Sequence, residues 1–171
     1  MPPPAHSPTA TDNPQPPSGS FRATVLWVTD GDTFGARASG RSDVRVRIIG
    51  VDTPETKRPG AGVQCFGREA TAELARLIPP GSAVTAARQH DRIDRYGRDL
   101  WDVWLPDGRL VSSVLVSGGF GRAAAFAGTD RDAVHLAALE ESARASGQGL
   151  WGACPTAGQA ITSPSSPHHE P

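Results

Sequence analysis

The 171 residues contain no run of about eighteen apolar side chains, so no membrane-spanning helix is expected. Cysteine is almost missing: Cys65 and Cys154 are the only two. That excludes a cysteine-dense scaffold, and two thiols without closely flanking histidine cannot complete a four-ligand zinc site. No collagen-like, heptad or other repeat is present. The net charge is only −1, so global charge gives no sign of a polyanionic partner. Lysine occurs once, at Lys57, beside sixteen arginines, which makes nearly every basic group a potential two-pronged phosphate donor. The start of the chain lacks a basic segment followed by an apolar one, so no secretory signal is expected in the chain as given.

Proline divides the chain. Eleven of sixteen prolines lie in residues 1–20 and 155–171, which carry few apolar side chains and are expected to be a disordered leader and a disordered tail. His168 and His169 fall in that tail and are given no role. The domain is expected to span residues 21–154, where 17 basic groups face 16 acidic ones, Asp12 and Glu170 being outside it.

Within the domain, residues 21–29, 33–38 and 44–51 have strand character, followed by a loop rich in proline and glycine. Residues 66–78 set Ala70, Leu74, Leu77 and Ile78 on one helical face before Pro79-Pro80-Gly81. Strands are expected at 82–88 and 98–105, and a short helix through Leu110–Leu115. A last helix follows a Thr129/Asp132 capping box and is closed by Gly147. Five strands with a helix between the third and fourth predict an OB-fold of the α+β class: a small antiparallel five-stranded Greek-key barrel with three helices packed on it.

Charge collects at four predicted strand ends: Asp30-Gly31-Asp32-Thr33, Arg47, Asp52-Thr53-Pro54-Glu55 and Asp94-Arg95-Tyr96-Gly97-Arg98. Singly, each has an ordinary explanation as a turn, a helix start or the wet face of a strand. Together, VTDGDT at 28–33, RIIGVDTPET at 47–56 and DRYGR at 94–98, with LVSGGFGRA at 115–123 and GLW at 149–151, resemble the staphylococcal nuclease (thermonuclease) family in order and spacing. That resemblance implies calcium-dependent hydrolysis of phosphodiesters in DNA and RNA, leaving 3′-phosphate ends. It carries Asp32, Asp52 and the Thr53 carbonyl over as ligands of Ca2+, a hard cation that prefers oxygen. Arg47 and Arg98 match the two arginines on the scissile phosphate, and Glu55 matches the proposed general base for the attacking water. Arg95 and Tyr96 match positions that help hold a neighbouring phosphate, although a ring packed at the barrel mouth explains Tyr96 equally well.

The chain departs from the family pattern at two places. Ala123–Ala127 replaces tyrosines that stack a base, leaving Phe126 as either a stacking face or a core residue. The loop after Glu55 keeps Thr56-Lys57-Arg58-Pro59 but turns to Gly60-Ala61-Gly62, with fewer charges to grip flanking phosphates.

The cysteines leave two readings open: two unrelated buried thiols in a cytoplasmic enzyme, or a disulfide from Cys65 to Cys154. Relatives resembling this chain often carry such a pair, which implies an oxidising, extracytoplasmic compartment. The leading expectation is therefore a secreted monomeric nuclease whose partner is its nucleic-acid substrate, with no obligate protein partner. The alternative is a catalytically silent nucleic-acid-binding OB module. Such modules typically lose several of the acidic or arginine positions, and here Asp32, Arg47, Asp52, Glu55 and Arg98 all stand.

Overall fold

A computed structural model describes residues 13–56, 62–124 and 132–154. Five strands close a barrel in the order β1 (Phe21–Asp30), β2 (Thr33–Ala38), β3 (Val44–Ile48), β6 (Asp99–Trp104), β5 (Ala83–Ile93), and β5 pairs back onto β1. This is the strand order of an OB-fold.

The sequence led to the expectation of an antiparallel barrel, but the barrel is mixed: β3 and β6 run parallel, with Val46 opposite Asp99 and Ile48 opposite Trp101. The reason is geometric. Strand direction cannot alternate all the way round a closed ring with an odd number of members, so at least one neighbouring pair must be parallel. Helix α1 (Gly67–Leu77) lies between the strand runs and lets the chain cross to the other side of the ring before β5 begins.

The barrel is filled by alternate residues of its strands. Val25, Phe34, Ala36, Val46, Ile48, Ala86, Trp101 and Val103 are fully buried. Edge-to-face contacts of Trp101 with Phe21 (5.0 Å between centroids) and Phe34 (6.2 Å) join β6 to β1 and β2. Helix α1 closes one end with Ala70, Leu74 and Ile78, the last lying just beyond its final turn.

The expected third strand, 44–51, is broken in two. Gly50, at φ 87°, turns the chain out of the barrel into β4 (Gly50–Asp52), which pairs with β7 (Arg122–Ala124) in a separate two-stranded sheet. Helices α2 (Val111–Ser117) and α3 (Ala133–Ala145) pack beside this sheet, and α4 (Leu150–Ala153) ends the described chain. Asp132 occupies the N-cap of α3 without a side-chain capping bond, rather than the third helical position its pairing with Thr129 requires; Thr129 itself lies outside the described residues.

Residues 13–20, expected to belong to the leader, are docked on the barrel. Asn13 donates to the Gly108 carbonyl (2.6 Å) and accepts from the Leu110 amide (3.0 Å), and Trp104 Nε1 donates to the Pro14 carbonyl (2.7 Å). Buried polar groups of the barrel floor find their partners there, which is why a short polar segment can be held in place. The remainder of the expected leader and the whole expected tail lie outside the described residues.

Cys65 and Cys154 are joined in a disulfide, their Cα atoms 6.0 Å apart across a sequence separation of 89. It ties the entry to α1 to the end of α4. Reduction, or Cys65→Ser with Cys154→Ser, is expected to lower the unfolding free energy by about 2–4 kcal/mol. Urea unfolding with and without dithiothreitol measures this, and an unchanged midpoint would contradict the cross-link.

Candidate active site

Two chain segments meet at one rim of the barrel, the β1–β2 turn and the exit from β3 through β4, and the Arg98 side chain reaches them from the β5–β6 turn. Pairing of Thr33 with Arg47 across β2 and β3 brings the first two together. Parallel pairing of β3 with β6, Val46 opposite Asp99, sets the β5–β6 turn beside the start of β3, where Arg45 Nη1 donates to the Tyr96 carbonyl (3.5 Å), and the Arg98 side chain spans from there to Thr33.

Arg47 is the centre of this rim. Its side chain is only 7% exposed, so its charge must be met by protein groups. Nη1 donates to the carbonyls of Ile48 and Val51, both at 2.7 Å, which holds the chain in the bend between β3 and β4. Nη2 lies 3.3 Å from Asp32 Oδ2 and 3.3 Å from Asp52 Oδ1. One nitrogen thus gathers two carboxylates that are twenty positions apart in the chain.

Asp32 is buried and well satisfied. Besides Arg47, its Oδ2 accepts from the Thr53 amide (3.0 Å) and its Oδ1 from the Thr33 hydroxyl (3.0 Å). Asp52 is half exposed and faces outward from the same nitrogen. The Thr33 hydroxyl in turn accepts from Arg98 Nη1 (3.3 Å). A continuous chain of hydrogen bonds and one ion pair, that between Asp32 and Arg47, therefore runs from Arg98 through Thr33, Asp32 and Arg47 to Asp52.

Arg98 is aimed by Asp94. Its Nε donates to Asp94 Oδ2 (2.7 Å), while the amides of Tyr96 and Arg98 both donate to Asp94 Oδ1 (2.9 Å each). Burial alone would raise the Asp94 pKa, but the two amides and the guanidinium outweigh it and hold the carboxyl below its ordinary value. Arg95 and Tyr96 sit at the tip of the same turn. The tyrosine ring is exposed rather than packed in the barrel mouth, with Arg95 and Arg98 guanidinium carbons 4.8 and 5.1 Å from its centroid. Arg95 Nη2 also donates to the tyrosine hydroxyl (2.7 Å).

Glu55 follows the buried Thr53 and Pro54, and Gln64 fixes its backbone from both sides. The Glu55 amide donates to Gln64 Oε1 (2.8 Å), and the Gln64 amide donates to the Glu55 carbonyl (2.9 Å). Thr56 donates its hydroxyl to Asp30 Oδ1, bringing this loop against the β1–β2 turn. Phe126, Lys57 and Arg58 lie outside the described residues.

The donors at the rim are all oxygens, which suits a hard divalent cation. Asp32 and Asp52 each direct one carboxylate oxygen at Arg47 Nη2, and the Thr53 amide lies against Asp32. The Thr53 hydroxyl is buried there with no hydrogen-bond partner among the described residues. Among those residues no group of three or more histidine, cysteine, aspartate or glutamate side chains forms a cage. An ion at this rim would depend on two carboxylates, a carbonyl, water and substrate. Three contributors escaped the sequence reading: Thr33 as the link between Arg98 and Asp32, Asp94 as the support of Arg98, and Gln64 as the clamp on Glu55. Only Asp94 carried a signal, as an aspartate four residues before an arginine across a glycine turn.

Residues 45–153 match the family described as staphylococcal nuclease homologue. Endonuclease YncB of Bacillus subtilis is 38% identical over 101 residues, covering 59% of this chain and 47% of that protein. Thermonuclease of Staphylococcus intermedius is 32% identical over 127 residues, 74% of each chain. An uncharacterized endonuclease of Escherichia coli is 36% identical over 127 residues, again 74% of each. The chain spans less than half the length of YncB, and 33% of a second Bacillus subtilis relative, the SPbeta prophage-derived endonuclease YokF.

The Asp94 turn gives a pH-dependent prediction. A carboxyl whose folded pKa is depressed contributes stability that is complete above its unfolded value, here 3.8, and lost as pH falls through the lower folded value. Asp94→Asn is expected to cost about 1–2 kcal/mol at neutral pH. That deficit should shrink as pH falls below 3.8, because the unfolded chain's carboxyl then takes up a proton that the folded carboxylate, held lower, does not. Unfolding curves of both proteins between pH 7 and pH 3 test it; a deficit independent of pH would contradict the ion pair.

Proposed function

The chain belongs to the staphylococcal nuclease family, and on that premise we propose that it is a calcium-dependent nuclease that hydrolyses phosphodiester bonds of DNA and RNA and leaves 3′-phosphate ends. The observation that carries this reading is the chain of hydrogen bonds and ion pairs from Arg98 through Thr33, Asp32 and Arg47 to Asp52, which gathers two guanidinium groups and two carboxylates.

Each residue has work to do in such a reaction. Asp32, Asp52 and the Thr53 carbonyl hold the ion, which when bound would offset negative charge building on the phosphate. Arg98 donates to the phosphoryl oxygens, and Arg47 would join it by exchanging its contact with the half-exposed Asp52 for a substrate oxygen. The charge on those oxygens rises as water adds to phosphorus, and interactions that strengthen in this way lower the barrier. Asp94 keeps the Arg98 fork pre-oriented, so little rearrangement is needed when substrate arrives. Glu55, on a backbone fixed by Gln64, accepts a proton from the attacking water. The new phosphorus–oxygen bond forms as the bond to the 5′ oxygen breaks; that oxygen takes up a proton and leaves as a hydroxyl. Arg95 and Tyr96, at the turn tip, contact the next phosphate.

The cross-link between Cys65 and Cys154 supports an extracytoplasmic site of action, since such bonds persist in oxidising compartments. No described helix is long and apolar enough to cross a membrane.

Nicking of supercoiled plasmid in calcium, abolished by EGTA, is the direct test, with end-labelling to identify the 3′-phosphate. Arg98→Lys keeps the charge but loses the fork, and is expected to lower the rate about a hundredfold or more, ~3 kcal/mol of barrier. Glu55→Gln is expected to reduce turnover while plasmid binding persists. Strand binding without cleavage by the wild-type protein in any divalent cation would instead assign a silent binding module.

A further inference from the structure

The basic groups of this nearly neutral domain are not spread evenly. At the end of the barrel away from the β1–β2 turn, the start of β1 and the β2–β3 turn enclose a groove of about 710 Å³, with an adjoining one of about 510 Å³. Arg22 and Arg41 line both, Arg37 lines the first and Arg88 the second, and neither groove has an acidic residue in its wall. Arg37 is paired with Asp43 and Arg88 with Asp99. Arg22 and Arg41 make no side-chain ion pair among the described residues, so their charge faces the groove uncompensated. Two uncompensated guanidinium groups in an acid-free concavity suit an anion with several phosphoryl oxygens.

A second feature lies between the groove and the rim. Trp27 on β1 is 42% exposed and lies over Gly35 on β2, its register partner. A side chain at position 35 would collide with the indole ring, so the glycine is what lets the ring lie against the strand. The next outward-facing pair along the same two strands is Thr24 and Arg37, both in the groove wall. An exposed aromatic face next to a basic groove is the combination that binds single-stranded nucleic acid: bases stack and phosphates are neutralised.

We propose that this face is a second nucleic-acid contact, in which Arg22 and Arg41 hold backbone phosphates and Trp27 stacks a base of a strand that extends from the catalytic rim. Its role as an extension of the substrate site rests on the nuclease reading; the binding itself does not. From Thr33 at the rim to Arg37 at the groove, β2 covers roughly 13 Å at about 3.3 Å per residue. At ~3.4 Å per nucleotide this corresponds to about four nucleotides. Shorter oligonucleotides do not reach both places.

The test uses the whole chain in EGTA, so that nothing is cleaved. Fluorescence anisotropy with a labelled single-stranded 24-mer should show Arg22→Ala/Arg41→Ala weakening binding about tenfold. The log-affinity against log-salt slope should fall by about 1.4, two phosphates at ~0.7 each. Affinity for a trinucleotide should not change. Tryptophan emission should be quenched by the 24-mer, and Trp27→Phe should remove most of that quenching. Trp101 and Trp104 are fully buried, and Trp151, partly buried with its ring beside Arg122 and Arg144, is kept in the variant as the background signal. Hydrolysis of bis(p-nitrophenyl) phosphate in calcium, which occupies the rim alone, should be the same in wild type and double variant. Equal 24-mer affinity and slope in wild type and double variant would overturn the proposal. So would a Trp27→Phe variant that loses thermal stability while keeping the quenching, which would make the ring only a cover for Gly35. Binding to vesicles containing phosphatidylserine that depends on these arginines, without any change in 24-mer affinity, would also overturn it and assign a lipid surface. If no variant or wild type hydrolyses either substrate, the nuclease reading fails while the anisotropy result still decides this one.

Discussion

A buried guanidinium organises both the fold and the site. Arg47 cannot stay charged inside the barrel wall without partners, and a lone buried charge would cost several kcal/mol. Its partners include two carbonyls from the bend after β3 and two carboxylates from different segments. Meeting that electrostatic demand therefore fixes the path of residues 48–52 and sets Asp32 beside Asp52. The same contacts that make the arginine tolerable assemble the rim. This coupling means that damage at Arg47 is felt in the backbone, whereas damage at Asp52, half in solvent, is confined to the site.

The topology explains how Arg98 reaches that rim. An odd-membered ring forces one parallel pair, and that pair is β3 with β6. Because those strands run in the same direction, the turn that leads into β6 is brought beside the start of β3. Arg98 thereby reaches Thr33, sixty-five positions earlier, through one hydrogen bond. A fully antiparallel arrangement would have placed the β5–β6 turn differently.

Much of this was legible in the sequence. Alternating apolar residues located the five barrel strands, and the face shared by Ala70, Leu74 and Ile78 located α1. Asp32, Arg47, Asp52, Glu55 and Arg98 stood out because charge recurred at strand ends within a recognisable order. Other features were hidden for physical reasons. Period-two alternation records which residues face inward but not which strand is the neighbour, so the parallel pair was missed. The three-residue strands β4 and β7 are too short to carry a pattern. Thr33 and Gln64 matter through partners brought near only by folding. The docking of Asn13 and Pro14 was invisible because it satisfies polar atoms of the barrel floor, a need that composition cannot reveal.

The covalent tie between α1 and α4 has a consequence for the order of events during synthesis. Cys65 emerges before β5, β6, α2 and α3 exist, and its mate arrives 89 residues later. For that whole interval the first thiol must wait unpaired. With no third cysteine in the chain there is no wrong intramolecular pairing to undo, whether the sulphurs join early or late. The finished bond closes a loop of 89 positions around most of the domain, so a locally loosened molecule keeps its two ends tethered and has fewer open conformations to escape into.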